Sequence, residues 1–207
     1  VGSKNFTEQL ILGELIAQCD LDLATEALGS QWRIETVAFK PLPACYFNVP
    51  AIDAAVRLAE QHNLRASDIA DVRVLLPAAA ISLVGEPVSA KRRPRDSYAA
   101  QFSIHFTTAA ALIRRRFTLD DLADSALHDP DILSLADRIN YAIDEKTTFP
   151  KFYSAAVIVT TQDGRVLEAR EDINRGAPER PLSEADITAK FMASAERVFA
   201  PDKTARI

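Results

Sequence analysis

Apolar residues recur every three to four positions through residues 7–28, with Leu10, Ile11, Leu15 and Ile16 on one face. That spacing predicts a helix, and Gly29 is suited to end it. "WRIETVAF" (32–39) alternates in the manner of a strand, and "PAIDAAVRLAEQHNL" (50–64) returns to the helical period, with Ile52, Val56 and Leu58 or Ala59 facing inward. "DVRVLLPAA" (71–79) predicts a strand that Pro77 ends. Residues 87–97 read as a polar connection, and 97–117 as one long, alanine-rich helix. Thr118 with Asp121 has the spacing of a capping box for a short helix, and Asp129-Pro130 opens another that runs to about Ala142. "SAAVIVTTQDGRVLEAR" (154–170) places two β-rich runs around Asp163-Gly164, the pattern of a hairpin. Ser183 with Asp186 starts a last helix through Phe199, with Ile187, Phe191 and Val198 expected on its inner side.

Strands and helices are interspersed and one strand pair is an antiparallel hairpin, so the expected class is α+β. The 207 residues suffice for one large domain or two small ones. Composition is that of a globular protein, 48% hydrophobic and 26% charged. A net charge of −5 offers no general attraction for nucleic acid or an anionic membrane. "KRRPR" (91–95) and "RRR" (114–116) are local exceptions, expected as solvated faces or helix ends. No apolar run approaches the ~20 residues that span a bilayer, and no signal-peptide pattern opens the chain, so the expected compartment is the cytosol.

Chemistry is sparse. Cys19 and Cys45 have no metal-ligand spacing, and His62, His105 and His128 form no zinc signature. The glycines never cluster into a nucleotide loop, and no nucleophile, base and orienter fall into a set. His105 lies in an apolar helical stretch, where a lone histidine is usually a satisfied core residue. The most informative segment is "FKPLPACYFNVPAID" (39–53). Pro41 and Pro43 push Lys40 and Leu42 toward extended conformations, and Pro50 suits a first helical turn with Asn48 close enough to help cap it. The prediction is a stiff loop that holds the Lys40 ammonium in one place; a proline turn with a solvated lysine is the plainer alternative.

"FKPLPACYFNVPAIDAAVRL" followed by "SDIADVRV", then "PRDSYAAQFSIHFTTAAAL" (94–112), "DGRVLEAR", "GAPERPLS" and "ITAKF" (187–191), resembles in order the blocks of the MmgE/PrpD family. That family includes 2-methylcitrate dehydratase, cis-aconitate decarboxylase and iminodisuccinate epimerase. The resemblance implies an α+β lid at 31–173 and a C-terminal helical return at 174–207, after an N-terminal helical segment at 1–30. It implies a C-terminal fragment of a lyase or isomerase that works by proton abstraction beside a carboxylate, without metal or organic cofactor. The implied substrate is a tricarboxylate or related polycarboxylate. Lys40 is the implied catalytic and carboxylate-binding residue, with Cys45, Arg95, Ser103 and His105 as further substrate-binding candidates. Cys45 and Val49 stand where family members often carry histidines. The large helical domain of the family is not in this chain, so the expected partner is a second copy or a separate helical domain. The alternatives are a non-catalytic interaction subunit and a periplasmic solute-binding protein. The latter follows from "VGSKNFTEQLILGELIAQ", which resembles the start of osmoprotectant-binding proteins of ABC transporters.

Overall fold

A computed structural model describes Gly29, Ser30, Trp32, residues 37–200 and Lys203. The chain divides into two units, Val1–Val37 and Ala38–Ile207, and every element named below lies in the second. The predicted helix at 7–28, the stretch resembling osmoprotectant-binding proteins, and Cys19 lie outside the described residues. So does most of the predicted strand at 32–39, while Val37, Ala38 and Phe39 are exposed and belong to no strand.

Four strands, β1 (Ile69–Leu76), β2 (Ile139–Ile143), β3 (Ala155–Thr161) and β4 (Val166–Glu171), form a mixed sheet in the order β2-β1-β3-β4. Val72 of β1 lies opposite Ile139 of the parallel β2 on one side and Val159 of the antiparallel β3 on the other. β3 and β4 make the expected hairpin, and Gly164 takes the positive φ (86°) that its turn demands. A parallel pair needs a long crossover. Residues 77–138 supply it as a helical layer: α2 (Val88–Arg92), α3 (Ser97–Gln101), α4 (Ile104–Arg114), α5 (Asp124–Leu127) and α6 (Pro130–Asp137). Before β1 comes α1 (Val49–Gln61), which packs on α4 and on the β3–β4 half of the sheet. The α+β class is as expected.

α4 lies in the core of this unit. Every residue from Ile104 to Leu112 is buried, which suits a helix that is apolar nearly all round. Among the described residues Phe106 is the largest fully buried side chain, and truncating it to alanine costs about 3–5 kcal/mol on the usual scale for core aromatics. α1 instead has one buried stripe, Ile52, Ala55, Leu58 and Ala59, while Val56 is half-buried.

Five expectations are corrected. The single helix at 97–117 is two helices: the chain turns at Phe102, and the Ser103 Oγ accepts the Phe106 N–H at 2.9 Å to start α4 afresh. The polar connection at 87–97 contains α2. The helix opened by Asp129 ends at Asp137, and residues 139–143, read as its continuation, are the strand β2. Asn48 does not cap α1; its Nδ2 donates to the Gln101 carbonyl at 3.1 Å. The last helix, α7 (Glu184–Ala195), has no buried residue, and Ile187, Phe191 and Val198 are 42%, 44% and 77% exposed. Its capping box does form, with the Asp186 N–H donating to the Ser183 Oγ and the Ser183 N–H to the Asp186 carboxylate, both at 3.1 Å.

The two basic runs fall at helix ends, as expected, with Arg93, Arg95, Arg115 and Arg116 exposed, and several of their side chains also make contacts within the chain. Arg114 pairs with Asp121 (3.2 Å) and Asp129 (2.9 Å), and Arg115 donates to the Asn63 side chain at 2.6 Å. Lys91 donates to the carbonyls of Leu83 and Phe102, and Arg92 to Ile139 O and Asn140 Oδ1. Among the described residues, no helix is long and apolar enough to cross a membrane.

Candidate functional site

Lys40 is exposed, and burial deepens along the loop that follows it, from half-buried Pro41, Leu42 and Pro43 to buried Ala44. Downstream, Ala44 and Cys45 are buried, and the Cys45 N–H donates to the Gln101 carbonyl at 2.8 Å. The Asn48 Nδ2 donates a second bond to that same carbonyl, so the end of α3 anchors the loop twice. Upstream, the Phe39 N–H donates to the Gly176 carbonyl at 2.9 Å. The Tyr46 hydroxyl donates toward the Phe39 carbonyl (3.3 Å) and the Arg175 carbonyl (3.4 Å). Tyr46 and Phe47 lean on Tyr153 with ring centroids 4.8 and 5.0 Å away, edge to face. Prolines fix the backbone, and these contacts fix where it points.

Gly176 explains how closely the two loops approach. Its φ is +90°, and a Cβ built there meets the Phe39 carbonyl oxygen at 1.9 Å. Only glycine fits. Its neighbour Arg175 makes a two-pronged ion pair with Asp53 of α1, 2.8 and 3.1 Å, which ties the loop after β4 to the helix after the lysine loop.

The two loops and α7 enclose an open groove of about 900 Å³. Lys40, Gln101, Thr118, Arg175 and Lys190 line it. The Lys190 ammonium donates to the Lys40 carbonyl at 2.6 Å, so the last helix reaches back to the lysine loop. Arg197 pairs with Asp120 at 2.9 Å across the far side.

The other sequence candidates are dispersed. Cys45 is buried; burial pushes its thiol above the ordinary range, partly offset by a backbone hydrogen bond from Phe47 and by the Lys40 and Lys91 charges. Arg95 is 88% exposed, pairs with its neighbour Asp96 at 3.1 Å, and lies by a different, smaller hollow. The Ser103 hydroxyl is spent on the start of α4 and on the Lys91 carbonyl. His105 is buried; its Nδ1 faces the Ile139 carbonyl at 2.8 Å, and burial lowers its pKa, which favours the neutral ring. Of the five, Lys40 alone lines the groove; Cys45, Arg95, Ser103 and His105 do not. Gly176, Arg175 and Lys190 were missed by sequence reasoning, although "GAPERPLS" and "ITAKF" frame them. Among the described residues no group of three or more His, Cys, Asp or Glu side chains is placed to hold a metal ion.

Residues 42–207 match the model of the MmgE/PrpD C-terminal domain. Cis-aconitate decarboxylase of Homo sapiens is 25% identical over 174 residues, 81% of this chain and 35% of that protein. The mitochondrial 2-methylcitrate dehydratase of Yarrowia lipolytica is 28% identical over 151 residues, 67% of this chain and 28% of that protein. The chain thus spans about a third of the length of the curated relatives it matches.

Proposed function

The chain belongs to the MmgE/PrpD family, and on that premise we propose that it supplies the carboxylate-binding side of a lyase-type active site. The reaction class is the one named in its relatives, loss of water or of carbon dioxide from a polycarboxylate. The observation that supports this reading is Lys40: an exposed ammonium at the edge of a groove, on a loop held from both ends.

In a dehydration, a base takes the proton beside a carboxylate while hydroxide leaves the neighbouring carbon as water. In a decarboxylation, departing carbon dioxide leaves behind an electron pair that a proton then fills. Either way negative charge gathers on carbon and spreads into the oxygens of an adjacent carboxylate. A preoriented cation stabilises that charge without reorganising during the reaction. Lys40 suits this task, since prolines and the Gly176 contact hold its backbone still. A single lysine does not make an acid/base pair, so the base and the proton donor come from outside this segment. A helical partner, or a second copy of the chain, contributes them.

The test is proton NMR of the chain with 2-methylcitrate, citrate and cis-aconitate, at low salt. The expected result is binding that Lys40→Ala weakens at least tenfold, on the scale of a hydrogen bond to a charged group. Equal binding by Lys40→Ala rejects the reading. A non-catalytic interaction subunit is the second reading, favoured by one observation: Ile187, Phe191 and Val198 of the last helical stretch are all uncovered.

A further inference from the structure

Four cations line the groove, and two of them are matched by carboxylates: Arg175 by Asp53 and Arg197 by Asp120. Among the described residues, Lys40 and Lys190 form no ion pair. They are also neighbours, because the Lys190 ammonium is bonded to the Lys40 carbonyl. We propose that Lys190 is a second carboxylate-binding group, so that the site takes ligands with two or more carboxylates in preference to monocarboxylates. The inference rests on the reading of Lys40 as the first such group.

A lysine ammonium has three N–H donors. One is used on the Lys40 carbonyl, which fixes the charge over the loop, and two remain for a ligand. That bond removes much of the rotamer freedom that makes an exposed lysine a poor binding group. It also ties the position of the second charge to the backbone of the first. The groove, at about 900 Å³, lies within the range of small-molecule sites. The groove's own carboxylates do not cancel the pair. Asp120 is bonded to Arg197, and Asp186 caps its helix and leans toward Arg175 at 3.8 Å. Glu196 follows Lys190 by six residues, roughly 9 Å along a helix. The alternative is that Lys190 only anchors α7.

Calorimetric titration of the full chain at low ionic strength separates the two. The probes are propane-1,2,3-tricarboxylate and butanoate, against the parent chain, Lys40→Met, Lys190→Met and Ser183→Ala. The last removes a helix cap without changing charge, so it weakens the start of α7 and retains both lysine side chains. Lys190→Met is expected to weaken tricarboxylate binding about tenfold while butanoate changes by less than about twofold. Lys40→Met weakens both ligands. Loss on Lys40→Met with none on Lys190→Met overturns this inference and leaves the Lys40 reading standing. So does equal loss of both ligands on Lys190→Met, or a Ser183→Ala chain that behaves like Lys190→Met. No binding by the parent chain, or binding indifferent to Lys40→Met, overturns both.

Discussion

At the scale of single residues, the position that most constrains the groove carries no functional group. Gly176 lets two loops touch backbone to backbone, and any side chain there meets a carbonyl oxygen that is itself held by Tyr46. Gly176→Ala combines a left-handed φ with that overlap, so it is expected to cost about 1–3 kcal/mol. It should also weaken polycarboxylate binding, since Phe39 and with it Lys40 must shift. Urea denaturation reads the first effect and titration the second; a variant as stable as the parent refutes the contact. Lys40 was legible in the sequence because prolines on both sides of Leu42 advertise rigidity. Gly176 was not, because a lone glycine in a polar turn shows nothing of a partner 137 residues earlier. His105 was legible only as an ambiguity. Its placement against Ile139 depends on a strand that the sequence pattern hides.

At the scale of elements, that strand is the instructive failure. Residues 130–143 keep a helical spacing of apolar positions, yet the chain leaves the helix at Arg138 and enters β2. β1 has a free edge there, and Val72 to Leu76 accept a parallel neighbour from Ile139 to Ile143. Tertiary pairing outweighs local propensity over five residues. The break at Phe102 has the same character: a serine inside an apolar run is weak as a signal until its hydroxyl is seen capping α4. By contrast, the hairpin and both serine or threonine capping boxes involve residues close in sequence, and there the local pattern and the structure agree.

The residue after β2, Asp144, joins opposite sides of the sheet. It is buried, and Arg170 of β4 grips its carboxylate at 2.7 and 3.1 Å. That grip holds the Asp144 carboxyl below its usual pKa. The unfolded chain therefore binds this proton more readily than the folded one, and the pair stabilises the fold above the ordinary aspartate range. The stabilisation fades as pH falls through the lowered value. Asp144→Asn should cost about 3–5 kcal/mol at neutral pH, as for a buried pair that loses one partner. The gap between variant and parent should narrow below about pH 4. Urea midpoints across pH measure this, and a gap constant with pH excludes the ion pair as its source.

At the scale of the whole molecule, the described unit has a dense helical and sheet core, and α7 lies outside it. α7 buries none of its residues, and charged contacts hold it: Lys190 to Lys40, Arg175 to Asp186 and Arg197 to Asp120. Such contacts are screened by salt, whereas the apolar core is not. Raising sodium chloride from about 0.05 to about 0.5 M should speed amide hydrogen exchange in α7 and leave β1 and β3 protected. Equal responses in the two regions rule out an electrostatic attachment. The apolar residues of α7 were expected inside because its sequence is amphipathic; amphipathicity announces that a face needs cover and not which chain supplies it.

The central strand β1 has a consequence for the order in which the molecule is made. Both of its neighbours come late: Val72 pairs with Ile139 and Val159, so a growing chain must lengthen by some 67 residues before β1 gains its first partner. During that interval Val72, Val74 and Leu76 have no sheet to join, while α1 and α4 can already pack on each other. A helical layer that forms first then serves as the floor on which the strands are laid, and the distant pairings close last. The nascent protein thus carries its central strand unpaired for a time, sheltered by the helices made around it.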